Sequence, residues 1–149
     1  MNLKFIFQSF ILCAFVGSTY SFAQDDVEDE ACVEPDKKVM KLIAQGESSK
    51  NDKHERLDAF INATREAPEN AYTYFAFANF NYESAEKVMT DFEAGRANYA
   101  QIQTAYMSAA KGYEKVIQYC PSFHSEAYYK LGEIYLMFND KAKASQYFR

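Results

Sequence analysis

The sequence contains little of what enzymes use for catalysis or metal binding. Its two histidines, His54 and His124, have no second histidine or cysteine at zinc-ligand spacing, and neither stands in a known catalytic motif. The five glycines are dispersed, so no glycine-rich phosphate loop is present. We therefore interpret both histidines as surface residues. The chain is predicted not to be an enzyme and to have no catalytic residue, cofactor or metal ion.

The sequence also lacks a strand period and an apolar run long enough to cross a membrane. No stretch alternates apolar and polar residues, which predicts an all-α fold. The apolar run at residues 5–16 is shorter than the roughly 20 residues that span a bilayer. It follows Lys4 and precedes a small-x-small site at residues 21–23, a pattern typical of a cleaved signal peptide over residues 1–23. A membrane anchor is the alternative, which the length of the run disfavours.

Basic residues are in deficit after this segment is removed. Of the 16 basic residues only Lys4 is lost, so 15 remain against 21 acidic residues and the net charge becomes −6. Such a surface argues against nucleic-acid binding, which needs a basic stripe. Residues 24–34 are interpreted as an acidic, solvated lead-in segment. Its carboxylates within residues 24–30 are Asp25, Asp26, Glu28, Asp29 and Glu30.

A spacing pattern near the carboxyl end is the most informative feature that is present. It reads Tyr128-x2-Leu131-Gly132-x2-Tyr135, followed by Ala144-x3-Phe148. This pattern resembles the tetratricopeptide repeat, a helix–turn–helix unit, with Tyr128 in place of its usual tryptophan. Gly132 and Ala144 are small enough for two helices to approach closely. The larger side chains of the pattern fill the space around that contact.

Two weaker copies of the pattern precede this one. We divide residues 35–149 into units at 35–70, 71–123 and an incomplete 124–149. In the middle unit Ala109 follows Ala78 by 31 positions, whereas in the last unit Ala144 follows Gly132 by twelve. The extra residues favour helix, so the middle unit is predicted to have lengthened helices instead of a long loop. The resemblance implies an array of antiparallel helix pairs that forms a segment of a right-handed α-solenoid.

Local signals predict where the six helices begin and end. Asp36, Asn70 and a capping box at Asn98-x2-Gln101 mark starts, and Gly95 marks the end of the third helix. The fifth helix is expected at 125–138 and the sixth near Lys141. The first helix has an amphipathic pattern of Val39, Met40 and Ile43, and the second is predicted to bury Leu57, Phe60 and Ile61.

The aromatic third helix has two interpretations. Its predicted core face contains Tyr74, Phe77 and Asn81. A second face contains Tyr72, Phe75, Asn79 and Tyr82, and the resemblance implies that this face lines the concave groove of the array. In the neighbouring units the equivalent groove residues are Glu126, Tyr129 and Glu133, and Lys38, Lys41 and Gln45. The groove is a candidate site for an extended protein segment, and core or interdomain packing is the alternative. Ala76 stands where the family's carboxylate clamp has an asparagine, which argues against recognition of a chaperone carboxyl terminus.

The cysteine count is relevant to whether the exported chain forms a disulfide. Cys13 is expected to leave with the signal peptide, and Cys32 and Cys120 remain. An even count in an oxidising compartment favours a disulfide between them. Two independent free thiols are the alternative.

A closer resemblance is to the amino-terminal repeats of a Bacteroidetes envelope family. It is carried by Val116-x3-Cys120-Pro121 and by residues 125–135. Members of that family continue into a β-propeller and an OmpA-like domain, and some are similar to components associated with type IX secretion. The resemblance implies an exported, periplasmic scaffold that contacts protein partners or adjacent domains of its own chain. We expect the array to continue past Arg149. The alternatives are a free periplasmic peptide-binding assembly chaperone and a repeat module of an enzyme that continues past residue 149.

Overall fold

The computed structural model describes residues 30–149, and this part of the chain is all-helical. A short 3-10 helix at Glu30–Cys32 precedes six α-helices, and the described residues contain no strand. The helices are α1 (Lys37–Glu47), α2 (Lys53–Glu66), α3 (Ala71–Glu93), α4 (Tyr99–Tyr119), α5 (Ser125–Met137) and α6 (Lys141–Tyr147). The predicted signal peptide and residues 24–29 of the acidic segment lie outside the described residues.

The helix ends follow the local signals. Asp52 and Asn98 each form a capping box with the residue three positions later, Glu55 and Gln101, which satisfies backbone N–H groups that have no partner within the helix. Gly95 follows the end of α3 with a φ of 72°, a left-handed conformation in which a glycine has no steric penalty. The prediction of helix ends at Gly95 and Asn98 is confirmed.

Consecutive helices pack as antiparallel pairs: α1 with α2, α3 with α4, and α5 with α6. A glycine lies at the close approach in each pair. A Cβ atom built on Gly46 would lie 2.6 Å from the Phe60 ring, and one on Gly112 would lie 2.7 Å from the Ala78 Cβ atom. In the last pair, Gly132 faces the ring of Phe148 in the same way. The extra residues of the middle unit lie in α3 and α4, which have 23 and 21 residues.

The core consists of two clusters joined by α3. One lies between the first helix pair and α3, and its buried members are Val39, Ile43, Phe60, Ala63, Ala76 and Phe80. The other extends from α3 to α6 and is centred on Tyr113 and Leu131, both fully buried. The expectation that Ile61 is buried is wrong: its side chain is 37 % exposed, because α2 turns Phe60 and Ala63 toward α3 and leaves the Ile61 side toward solvent.

A disulfide fixes the start of the described chain to the middle pair. Cys32 and Cys120 are bonded, with their Cα atoms 5.2 Å apart. The Asn70 side chain, at the start of α3, also donates a hydrogen bond of 2.8 Å to the Val33 carbonyl. The segment before α1 is therefore held against the end of the α3/α4 pair where α3 begins and α4 ends. No helix among residues 30–149 is both long enough and apolar enough to cross a membrane.

Candidate interaction surfaces

The predicted groove face of α3 packs against other parts of the chain. The Phe75 ring lies 6.2 Å from the Tyr113 ring of α4, 5.6 Å from Phe123 and 5.1 Å from His124. Tyr72 meets the Phe123 ring edge-on at 4.6 Å. The turn before α5 thus covers the first part of this face.

The second half of the same face is covered by α4 and α5. The Tyr113 hydroxyl donates a 2.7 Å hydrogen bond to the Asn79 side-chain oxygen. Tyr82 packs at 5.4 Å against Tyr106, and the Lys130 ammonium lies 4.1 Å from the centre of the Tyr82 ring. Burial, followed by the nearby Glu133 carboxylate, raises the pKa of Tyr82 to about 12. In the structure, this α3 face is therefore occupied by side chains of the same chain.

The groove residues of the last unit are more accessible. Tyr129 is 55 % exposed, and interaction with the Glu133 carboxylate raises the pKa of its hydroxyl. Glu133 is in turn 3.5 Å from the Lys130 ammonium. Glu126 lies in the first turn of α5, and its backbone N–H donates to the His124 imidazole, which caps the helix. The sequence did not reveal this capping role of His124.

The middle and last helix pairs carry the same ring contact. Phe75 stands three residues before Ala78 and Tyr129 three before Gly132, and Tyr113 and Phe148 each follow an alanine by four. The Phe75–Tyr113 and Tyr129–Phe148 ring centres are 6.2 and 6.0 Å apart. Tyr113 is fully buried, however, whereas Phe148 is 48 % exposed.

Other apolar side chains extend this exposed region. Leu136 follows Gly132 by four residues, as Tyr82 follows Ala78, and it is 52 % exposed. Met137 is 42 % exposed. We call Tyr129, Leu136, Met137 and Phe148 the α5/α6 face. Sequence reasoning missed Leu136 and Met137, although the shared spacing from Gly132 and Ala78 is the signal that identifies Leu136.

The predicted groove residues of α1 are all exposed. The Lys38 ammonium pairs with Glu66 of α2 at 2.6 Å. Lys41 and Gln45 line an open hollow between α1 and α2, with a lining that is polar and apolar in equal parts. This hollow is on the first helix pair, and the α5/α6 face is on the last.

The predicted core face of α3 lines a second hollow. Tyr74, Phe77 and Asn81 are half-buried and form one wall of a depression of about 390 Å³ between α3 and α4. We call it the α3/α4 hollow. The opposite wall is made by residues of α4, namely Ser108, Lys111, Gly112, Glu114, Lys115 and Gln118.

The structure gives the remaining candidates ordinary roles. His54 is an exposed residue of α2 with its imidazole 3.6 Å from Asp58. Within residues 30–149, no group of three histidine, cysteine, aspartate or glutamate side chains is arranged to hold a metal ion. Neither a protein-family model nor a curated protein nor a solved structure matches this chain.

Proposed function

We propose that this chain is an exported, non-enzymatic scaffold that contacts a protein partner, or an adjacent domain of its own chain, in a bacterial cell envelope. Its helix pairs form a tetratricopeptide-like, right-handed array. Each pair is a unit that cannot bury its own outer face and depends on the next unit to cover it.

The equivalence of the helix pairs supports the repeat part of this proposal. A glycine allows close approach within each pair, at Gly46, Gly112 and Gly132. Stacking of successive pairs is supported by the rings between them: Phe60 of α2 is 5.7 Å from Phe77 of α3, and Phe75 of α3 is 5.6 Å from Phe123 before α5.

The exposure of the α5/α6 face is the observation that carries the proposal. Its ring contact reproduces that of the middle pair, but the covering element that the middle pair receives from Phe123 and α5 has no counterpart within residues 30–149. Contiguous exposed apolar side chains mark interaction sites. Aromatic residues and methionine are enriched at the centres of such sites, and this face supplies Tyr129, Phe148 and Met137.

Two observations support export. The first is the tripartite signal pattern over residues 1–23. The second is the disulfide between Cys32 and Cys120, because such bonds persist in oxidising compartments and are rare in the cytosol. The resemblance to Bacteroidetes envelope proteins supports the envelope as the destination.

Site-specific photo-crosslinking tests this proposal. A photoreactive phenylalanine analogue replaces Tyr129 in the exported protein, and in a control it replaces Phe92, which is also exposed (41 %) but lies at the end of α3. We expect a discrete crosslinked product, inter- or intramolecular, from position 129 and none from position 92. Crosslinking that is absent at 129, or equal at both positions, would reject the α5/α6 face as the contact surface.

A further inference from the structure

The α3/α4 hollow has an apolar floor that results from the closest helix approach in the molecule's middle pair. Gly112 faces Ala78 so closely that an added Cβ would lie 3.1 Å from the Ala78 Cα atom. Gly112 lines the hollow, between the Tyr74 and Phe77 rings on one side and the other α4 residues on the other. The Tyr74 ring also packs at 5.5 Å against Tyr119 of α4. An apolar side chain of a ligand fits this floor.

One half-buried polar side chain of the lining, Asn81, has no partner within residues 30–149. Its side-chain amide makes no hydrogen bond to any residue of that range. Such an amide has donors and an acceptor, which match the carbonyl and N–H of an extended backbone. Solvent reaches this amide, so a ligand that enters the hollow can form a hydrogen bond with it.

The charge of the rim is positive although the protein is acidic. Lys111 and Lys115, one turn apart on α4, form no ion pair within residues 30–149. Lys115 instead donates 2.9 Å to the Gln118 oxygen and lies 5.3 Å from the Tyr119 ring centre. The one carboxylate of the lining, Glu114, already accepts a 2.6 Å hydrogen bond from the Tyr135 hydroxyl. Neither ammonium group is paired with a carboxylate within residues 30–149, so both can pair with an acidic ligand.

We propose that the α3/α4 hollow binds an extended, acidic peptide segment of a protein partner. An apolar side chain of the segment lies on the Gly112 floor, and the Asn81 amide bonds its backbone. The long, flexible side chains of Lys111 and Lys115 at the rim pair with an aspartate or glutamate beside that apolar residue. The volume of about 390 Å³ is within the usual range for ligand sites, roughly 300 to 1,000 Å³. This site is separate from the α5/α6 face, and the proposal stands without that surface.

Fluorescence anisotropy with defined peptides tests the proposal. The probe is a labelled, terminally blocked peptide of seven residues that alternates leucine and aspartate, and the comparison probe alternates leucine and lysine. We expect saturable binding of the aspartate probe and at least about tenfold weaker binding of the lysine probe. The positive rim attracts the negatively charged aspartate probe and repels the positively charged lysine probe. Raising the salt concentration should weaken binding of the aspartate probe, since exposed charges are screened.

Matched variants locate the binding. The variant K111E/K115E is expected to bind the aspartate probe about tenfold more weakly, or weaker still. N81A is expected to reduce the affinity for this probe by a smaller factor. The control K50E/K53E reverses two exposed lysines around the start of α2, outside every candidate surface, and should leave affinity unchanged apart from a general charge effect of less than about twofold. Circular dichroism checks that each variant is folded. The proposal is overturned if the wild-type chain does not bind the aspartate probe, binds both probes equally, or loses as much affinity in K50E/K53E as in K111E/K115E.

Discussion

The middle and last helix pairs contain the same contact in two different surroundings. Phe75 meets Tyr113, and Tyr129 meets Phe148, at ring distances of 6.2 and 6.0 Å. Tyr113 is fully buried and Phe148 is 48 % exposed. The spacing of residues within a pair therefore determines which rings touch, whereas the neighbouring pair determines whether they are buried. A residue of this motif belongs to the core in one unit and is exposed to solvent in another.

Removal of the disulfide should give the largest effect, and it should act on the helices before α5 and not on the last pair. Cys32 and Cys120 are 88 residues apart in the sequence, and the loop that they close contains α1 to α4 but neither α5 nor α6. Chain-entropy arguments assign a loop of this length about 4.6 kcal/mol of stability. We expect C32S/C120S to lose stability of this order in urea unfolding, with faster amide exchange in α1 and α2.

Hydrogen exchange in the reduced wild-type protein is the control for this variant. It should reproduce the C32S/C120S pattern, because reduction breaks the same bond without changing the sequence. An unfolding midpoint and exchange pattern that are indifferent to both treatments would contradict the role assigned to the disulfide.

Substitution of the close-approach glycines tests whether packing inside the two pairs differs. Gly112 faces the backbone of Ala78, which cannot move without separating α3 from α4. Gly132 faces the tip of the half-exposed Phe148 ring, which can rotate toward solvent. We expect Gly112→Leu to cost about 3 kcal/mol, as overpacking in a well-packed site does, and Gly132→Ala to cost less than about 1 kcal/mol.

The smaller Gly112→Ala replacement provides a like-for-like comparison with Gly132→Ala. Both add one methyl group, so their difference reports only on the surroundings. Equal free energies of unfolding for the two alanine variants would show that the middle pair is not packed more tightly than the last.

Alanine substitution of the equivalent residues Phe75 and Tyr129 tests whether the ring contact stabilises the middle pair more than the last pair. Phe75 is half-buried among three rings, so Phe75→Ala should cost about 2 kcal/mol, less than a fully buried phenylalanine. Tyr129 is mostly exposed, and Tyr129→Ala should cost no more than about 0.5 kcal/mol. Urea unfolding of the purified chain measures both. A loss at Tyr129 as large as that at Phe75 would assign Tyr129 to the core.

The smallest expected effect is a loss of folding stability at alkaline pH that depends on Tyr82. Its pKa is raised from 10.0 to about 12 in the folded chain, so folding favours the neutral phenol. The stability that this adds is complete below pH 10 and is lost as the pH rises toward 12. Tyr82→Phe keeps the ring and removes the hydroxyl, and unfolding of this variant should be less sensitive to pH over that interval. An identical alkaline profile in both proteins would contradict the raised pKa.

The helices were predictable from the sequence because their signals are local. Asp36, Asn98 and Gly95 act on backbone groups within a few residues, and the structure uses each of them as expected. The lengthened helices of the middle unit likewise follow from the helix-forming composition between Ala78 and Ala109.

The surfaces could not be predicted in the same way, because they depend on contacts between distant residues. Nothing near Phe75 in the sequence indicates that Phe123 and His124 cover it, and helical spacing alone does not show that Tyr74, Phe77 and Asn81 border an open hollow. The burial predicted for Ile61 fails for the same reason, since α2 turns its neighbour Phe60 toward α3.

Hydroxyl-radical footprinting tests most directly the claim that the α5/α6 face is an interaction surface. The oxidation of Tyr129, Leu136, Met137 and Phe148 is measured in the isolated chain and in the native envelope, with Phe75 and Tyr82 as internal references. We predict that the face reacts in the isolated chain and is protected in the envelope, whereas Phe75 and Tyr82 are protected in both. A face that reacts equally in both states, or that is already as protected as Phe75 in the isolated chain, would contradict the account.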